Sequence, residues 1–126
     1  MSYDIQFVKD GEVCRLPFPP PQGGTFCPDE GFAEAWLNIT FNYGGVFARH
    51  GLSVIRREEQ TPGIQTLEGK TAAECVRILT TVIPQLGDDA SADYWEATEG
   101  NAKRALVNLL TIAITVPPDA TCRVWH

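Results

Sequence analysis

Residues 36–43, WLNITFNY, carry the side chains of this chain whose types and spacing are best suited to binding a ligand. In a strand, successive side chains point to opposite faces, so apolar residues fill one face here. The other face, called the ledge below, is uncharged and polar and consists of Trp36, Asn38, Thr40 and Asn42. Asparagine is depleted in strands, and each carboxamide offers both donors and an acceptor, so the ledge could hydrogen-bond a flat polar group. The alternative is an ordinary half-exposed sheet face.

A second candidate group lies in residues 93–104, DYWEATEGNAKR. An aromatic pair precedes a helix start signal at Thr98, and the free N–H groups of a first helical turn can hold an anion. Gly100 and Asn101 are poor helix formers, so either close packing on the sheet or a ligand role must explain them. Trp95 could equally be a core residue that covers the contact between helix and sheet.

Together the two groups supply aromatic rings, amides and a cation, which suit stacking a base, hydrogen-bonding a ribose and pairing a phosphate. They predict a pocket for a small nucleotide-like ligand between the ledge and residues 94–104. The predicted ligand-binding residues are Trp36, Asn38, Thr40, Asn42, Tyr43, Tyr94, Trp95, Thr98, Asn101 and Arg104.

Catalytic and metal-binding patterns are missing from the sequence. The histidines are His50 and His126, no G-x-S-x-G elbow occurs, and an enzyme would have to rely on His50. No Cys or His pair has metal-ligand spacing, and no acidic calcium loop is present. We therefore predict a protein that is not an enzyme, with no catalytic residues, no metal and no cofactor.

The composition narrows the class of partner. A formal net charge of −6 with only ten Lys and Arg argues against nucleic-acid polymers and anionic membranes, because both require a basic surface. The N-terminus lacks the apolar segment of a signal peptide, and no apolar run reaches the ~20 residues of a membrane span. In an intracellular protein the widely spaced cysteines are expected to be reduced and partly buried.

The hydrophobic pattern predicts one α+β domain over residues 1–126, with two main helices packed on one face of an antiparallel sheet. Thr71 and Glu74 fit a capping box at the start of the first helix. A mobile, irregular loop is expected at 53–69 and a proline-rich connection at 17–24. The predicted helices span 71–86 and 98–115, and the predicted strands span 2–8, 12–16, 25–27, 36–43 and 121–125. The last of these strands is expected to pair with the first.

Several sequence blocks resemble a group of small uncharacterised proteins from phages, prophages and plasmids. The shared features are an MSYDI-type start, an N-x-T-x-N-Y strand and a YW-x-x-T-x-G-N-A helix start, seen here as MSYDIQFV, LNITFNY and DYWEATEGNAKRAL. The resemblance spans nearly the whole chain and implies a mobile-element protein in the cytoplasm of a bacterial host.

Phage anti-defence sponges, which sequester nucleotide immune signals, offer an analogy for a small, acidic, non-enzymatic protein of this kind. The corresponding prediction is a ligand-sequestering protein that binds a nucleotide-type signal. The alternative is a protein–protein interaction module without a small ligand, an inhibitor or virion accessory protein that presents residues 17–24 and 53–69. Either function allows a homo-oligomer.

Overall fold

The first strand, β1 (Ser2–Lys9), is central in the computed structural model, which describes residues 2–17, 33–40, 43, 53–55, 60–89, 92–93 and 96–125. Along one edge β1 pairs antiparallel with β5 (Trp36–Thr40) and with the short β2 (Glu12–Val13). Along its other edge it pairs antiparallel with β8 (Thr121–Trp125). The predicted pairing of the last strand with the first is confirmed.

The predicted strand 12–16 is divided in two at Cys14. The Cys14 N–H donates to the Phe7 carbonyl at 2.9 Å, whereas its own carbonyl accepts from the Ala35 N–H at 2.8 Å. The chain thus changes its pairing partner at this residue. β3 (Arg15–Leu16) then pairs with β4 (Ala33–Glu34) in a separate two-stranded ladder. The predicted strand at 25–27 lies outside the described residues.

Alternation along the strands divides the sheet into an inner and an outer face. The inner face is buried and joins one hydrophobic core with the helices, as predicted for helices packed on a single face. Its fully or almost fully buried side chains are Ile5, Phe7, Leu37, Ile39, Cys122 and Val124. The described residues therefore confirm the α+β fold, with an antiparallel sheet and two main helices.

Both helices begin where local side-chain chemistry predicts. The first, α1 (Ala72–Val82), has Thr71 as N-cap in a complete capping box with Glu74, and a 3₁₀ turn at Ile83–Gln85 follows it. Hydrogen bonds from the Thr71 backbone N–H and hydroxyl hold the pKa of the Glu74 carboxyl below its usual value. The second, α2 (Glu99–Thr115), is capped by Thr98. Within the described ranges, no helix combines the length and hydropathy needed to cross a bilayer.

Thr71→Ala should lower the free energy of unfolding by about 1 kcal/mol, because it removes the acceptor of a first-turn N–H group. The Thr71 hydroxyl oxygen accepts from the Glu74 N–H at 3.2 Å. Thr80→Ala is the matched control, since Thr80 lies exposed within α1 and bonds only carbonyls of its own helix. Urea unfolding followed by circular dichroism compares the two. Equal losses in both variants would contradict the capping role.

The expectation of an irregular loop at 53–69 was wrong for its described part. β6 (Ser53–Ile55) pairs antiparallel with β7 (Gln60–Pro62), and a 3₁₀ helix follows at Gly63–Leu67. The side chains of Ile64 and Leu67 are fully buried. Residues three apart align on one side of a 3₁₀ helix, so these two anchor the segment in the core.

The segment after this 3₁₀ helix covers the outer edge of β8. Backbone hydrogen bonds join the Gly69 N–H to the Cys122 carbonyl at 2.8 Å and the Cys122 N–H to the Lys70 carbonyl at 2.7 Å. The Glu68 carboxylate accepts from the Val124 N–H. Gly69 has a φ of 79°, a value that favours glycine, so it allows the turn that brings this segment to the edge. An edge strand whose backbone N–H and C=O groups already have partners is protected from pairing with other chains.

Candidate functional site

Asn101 organises the start of α2. Its residue surface is only 1 % exposed, and its side-chain Nδ2 donates to the carbonyls of Asp93 at 2.9 Å and Glu96 at 3.0 Å. The Asn101 backbone N–H donates to the Thr98 hydroxyl oxygen at 3.1 Å. These contacts explain a poor helix former at this position, because the amide holds the preceding turn against the helix. The contacts assign structural roles to Thr98 and Asn101, and a direct ligand contact by either stays a prediction.

The same amide orients Arg104. With Nδ2 directed at two carbonyls, the Asn101 Oδ1 atom is held on the other side and accepts from the Arg104 Nη2 atom at 2.9 Å. Arg104 is exposed, so its remaining N–H groups are open to solvent. The bond to Asn101 holds the guanidinium in one position. A cation held in place before a ligand arrives loses less conformational freedom on binding.

Arg104 lines an open cavity of about 380 Å³ at the surface of α2, with Asp88, Gly100, Lys103 and Val107. The Lys103 Nζ atom lies 2.8 Å from the Asp88 carboxylate. The two cations outnumber the single carboxylate, so the lining carries a positive charge in an otherwise acidic chain. Sequence reasoning selected Arg104 but missed Lys103 and Asp88, whose meeting depends on a contact across 15 positions.

The N-terminal glutamate of α2, Glu99, bonds the backbone next to the residues that line this cavity. Glu99 Oε1 accepts from the Gly87 N–H at 2.9 Å, which ties the segment after α1 to the start of α2. Gly100 is buried, and its N–H donates to the Asp89 carbonyl at 3.0 Å. The connection between the helices is therefore fastened to the first turn of α2 at two successive residues.

The described ledge residues, Trp36 and Asn38, lie on the outer face of the sheet. Trp36 and Asn38 are half-buried there and alternate with the buried Leu37 and Ile39, as the period of two predicted. The Trp36 Nε1 and Asn38 Nδ2 atoms both donate to the Asp4 Oδ1 atom, at 3.1 Å and 3.0 Å. Asp4 was not among the predicted site residues. Its place directly opposite Asn38 comes from the strand register.

The structure does not bring the described residues of the two predicted groups into one pocket. The helices pack on the inner face, whereas Trp36 and Asn38 lie on the outer face, and neither lines the cavity beside Arg104. Tyr43 is fully buried in the core and has no side-chain surface to offer a ligand. A shared pocket formed by the two complete groups stays a prediction. The Thr40 side chain, Asn42, Tyr94 and Trp95 are outside the described structure.

The described cysteines have the environment of structural residues. Cys75 and Cys122 are fully buried, and a hydrogen bond between their thiols together with burial raises the pKa of Cys122 well above its ordinary value. Burial also raises the pKa of Cys14. Thiols with raised pKa values are poor nucleophiles at neutral pH. No group of three metal-binding side chains occurs in the described part of the chain, and both histidines lie outside it.

Comparison with protein-family models, with curated proteins and with solved structures gives no match to this chain.

Proposed function

We propose that this protein binds a small anionic ligand of the nucleotide type, with a phosphate group held by Arg104 and Lys103. The observation that carries the proposal is the Arg104 guanidinium, fixed by the buried Asn101 amide at the mouth of a cavity of about 380 Å³. A planar guanidinium suits phosphate because its N–H groups can bond two oxygens at once.

Charge supports a short ligand over a polymer. One Arg104 Nη atom is used by Asn101, which leaves further N–H donors for phosphate oxygens. Lys103 adds a second positive charge, held near the cavity by Asp88. The rest of the chain is acidic, with a net charge of −6, and would repel the extended phosphate backbone of a nucleic acid.

The proposal assigns the base to the aromatic pair Tyr94 and Trp95, which precede α2 in the sequence. Stacking on such rings is worth about 1–3 kcal/mol per base and does not depend on base identity. Since no catalytic group is assigned, the ligand would be held and not converted. With the resemblance to mobile-element proteins, the proposed biological role is sequestration of a nucleotide-type immune signal in a bacterial cytoplasm.

A second candidate function is binding of a protein partner, favoured by exposed apolar side chains on α2. Ile114 is 63 % exposed, and it borders an apolar groove of about 300 Å³. Apolar patches without charged residues are typical of interfaces. The remaining lining residues of this groove are Ala73, Val76, Ala113, Val116 and Pro118.

Calorimetry with cyclic nucleotides and ADP-ribose derivatives tests the first function. Arg104→Ala should weaken binding of any ligand in this panel by about ten- to a hundredfold, because a hydrogen bond to a charged group contributes about 1.5–3 kcal/mol. The loss should shrink at high salt, since ions screen the attraction between guanidinium and phosphate. Arg77→Ala is the matched control, because it removes the same charge from the exposed surface of α1.

Two results would contradict the proposal. One is equal affinity in the Arg104→Ala and Arg77→Ala variants. The other is a panel without binding together with specific recovery of a host protein by the wild-type chain. Loss of that recovery on replacing Ile114 with a charged residue would favour the interaction module.

A further inference from the structure

The outer face of the sheet holds a carboxylate whose described partners are all neutral. Asp4 Oδ1 accepts from the Trp36 indole and the Asn38 amide, at 3.1 Å and 3.0 Å. Among the described residues Asp4 forms no ion pair. The second oxygen of this half-buried carboxylate accepts from none of the described residues and is available to another donor.

Gln6, the next outer-face residue of β1, has an unused amide. It is 7 % exposed, and its side chain makes no hydrogen bond within the described parts of the chain. The Gln6 amide is not a buried unsatisfied group, so solvent reaches it beside the Asp4 carboxylate, and its oxygen can accept an N–H group from a ligand. Gln6 lies opposite Trp36 on one side and Arg123 on the other.

An exposed indole completes this surface. Trp125 of β8 pairs directly with Asp4 and is 41 % exposed. The nearby positive charge, Arg123, is directed to Glu68, whose Oε1 atom accepts from the Arg123 Nε atom at 2.9 Å. A carboxylate beside an indole face suits an organic cation, which gains both an ion pair and a cation–π contact.

We propose that Asp4, Gln6 and Trp125 form a second binding site, which takes an organic cation carrying N–H donors, either an ammonium or a guanidinium group. The Asp4 carboxylate pairs with the cation, the Gln6 amide oxygen accepts a further N–H, and the Trp125 ring covers the charge. The site is on the face opposite the helices, so it does not depend on the anion site at Arg104. The acidic chain favours accumulation of cations near its surface.

The test uses butylguanidine, butylammonium and the neutral butylurea as probes, and follows the tryptophan indole N–H signals by NMR. We expect saturable shifts of the Trp125 signal with the two cations and none with butylurea. Acetyl-Ala-Arg-Ala-amide distinguishes the source of the cation. Tighter binding of this peptide than of butylguanidine would indicate a basic protein segment, and equal binding would indicate a small free amine.

Asp4→Asn should weaken cation binding at least about tenfold, because it removes the charge but keeps an acceptor oxygen for Trp36 and Asn38. Asp119→Asn is the matched control, since its exposed carboxylate pairs with Lys9 elsewhere. Trp125→Leu, followed through the Trp36 indole signal because that indole donates to Asp4, should also weaken the binding, and this variant tests the site if Asp4→Asn fails to fold. Absence of saturable shifts with every cation, or unchanged affinity in the folded variants, would overturn the second site.

Discussion

Replacing Asn101 with alanine should lower the free energy of unfolding by about 3 kcal/mol. The change removes the Asn101 amide donor from the carbonyls of Asp93 and Glu96, which keep only the backbone donors Glu96 N–H and Thr98 N–H. Each of the three hydrogen bonds lost with the Asn101 side chain contributes about 0.5–1.5 kcal/mol, which together outweigh the better helix propensity of alanine. The Arg104 guanidinium also loses its acceptor, so affinity for an anionic ligand should fall in the same variant.

Chemical denaturation of Asn101→Ala beside Thr111→Ala measures this effect. Thr111 is exposed on the same helix and donates only to a carbonyl of its own helix, so its replacement should change stability little. An Asn101→Ala variant as stable as Thr111→Ala would show that the amide does not hold the start of α2. The structural explanation of the Asn101 position would then be withdrawn.

Phe7→Ala should cost about 3–5 kcal/mol, the usual range for removing a buried aromatic ring. Phe7 is fully buried on the inner face of β1, and for a chain of this size such a loss is a large part of the total stability. Val8→Ala is the matched control, because its side chain is half-buried on the outer face of the same strand. It should lose about 1 kcal/mol.

Urea unfolding monitored by circular dichroism compares these two variants under identical conditions. If Val8→Ala were the more destabilised protein, the inner and outer faces of β1 would be exchanged relative to this description. Such a result would also move Asp4 and Gln6 into the core and remove the basis for a cation site.

Helix starts were predictable because their chemistry is local. Thr71 and Glu74 are three residues apart and bond each other, and Thr98 bonds the Asn101 N–H in the same way. The termini pair as expected because both strands alternate cleanly, which determines the face that each buries.

Long-range contacts account for the incorrect expectations. Nothing near Cys14 in the sequence indicates that its two backbone groups bond Phe7 and Ala35 in different ladders. Likewise, Ile64 and Leu67 occur in a polar segment, and only the folded chain shows that the core receives them. The polarity of a segment is a weak guide to whether it packs on the core, because a few apolar residues are enough to anchor it.

In the candidate sites, too, local features were visible in the sequence, whereas long-range contacts were not. The ledge was recognised from alternation, but its hydrogen bonds to Asp4 join residues more than 30 positions apart. Arg104 was selected by its residue type, whereas the orienting amide and the partner of Lys103 required the fold. Sequence reasoning placed the two groups in one pocket because it could not show that Trp36 and Asn38 lie on the outer face of the sheet while the helices pack on the inner face.

The most direct test of the proposed function is the side-chain Nε–H signal of Arg104 in proton–nitrogen NMR, followed during titration with cyclic nucleotides and ADP-ribose. We predict a saturable shift of this signal together with the backbone signals of Gly100 and Lys103, which line the same cavity. The Trp125 indole signal, on the opposite face, should not move with these anions. Saturation without any change at Arg104, Gly100 and Lys103 would contradict a phosphate site at the start of α2.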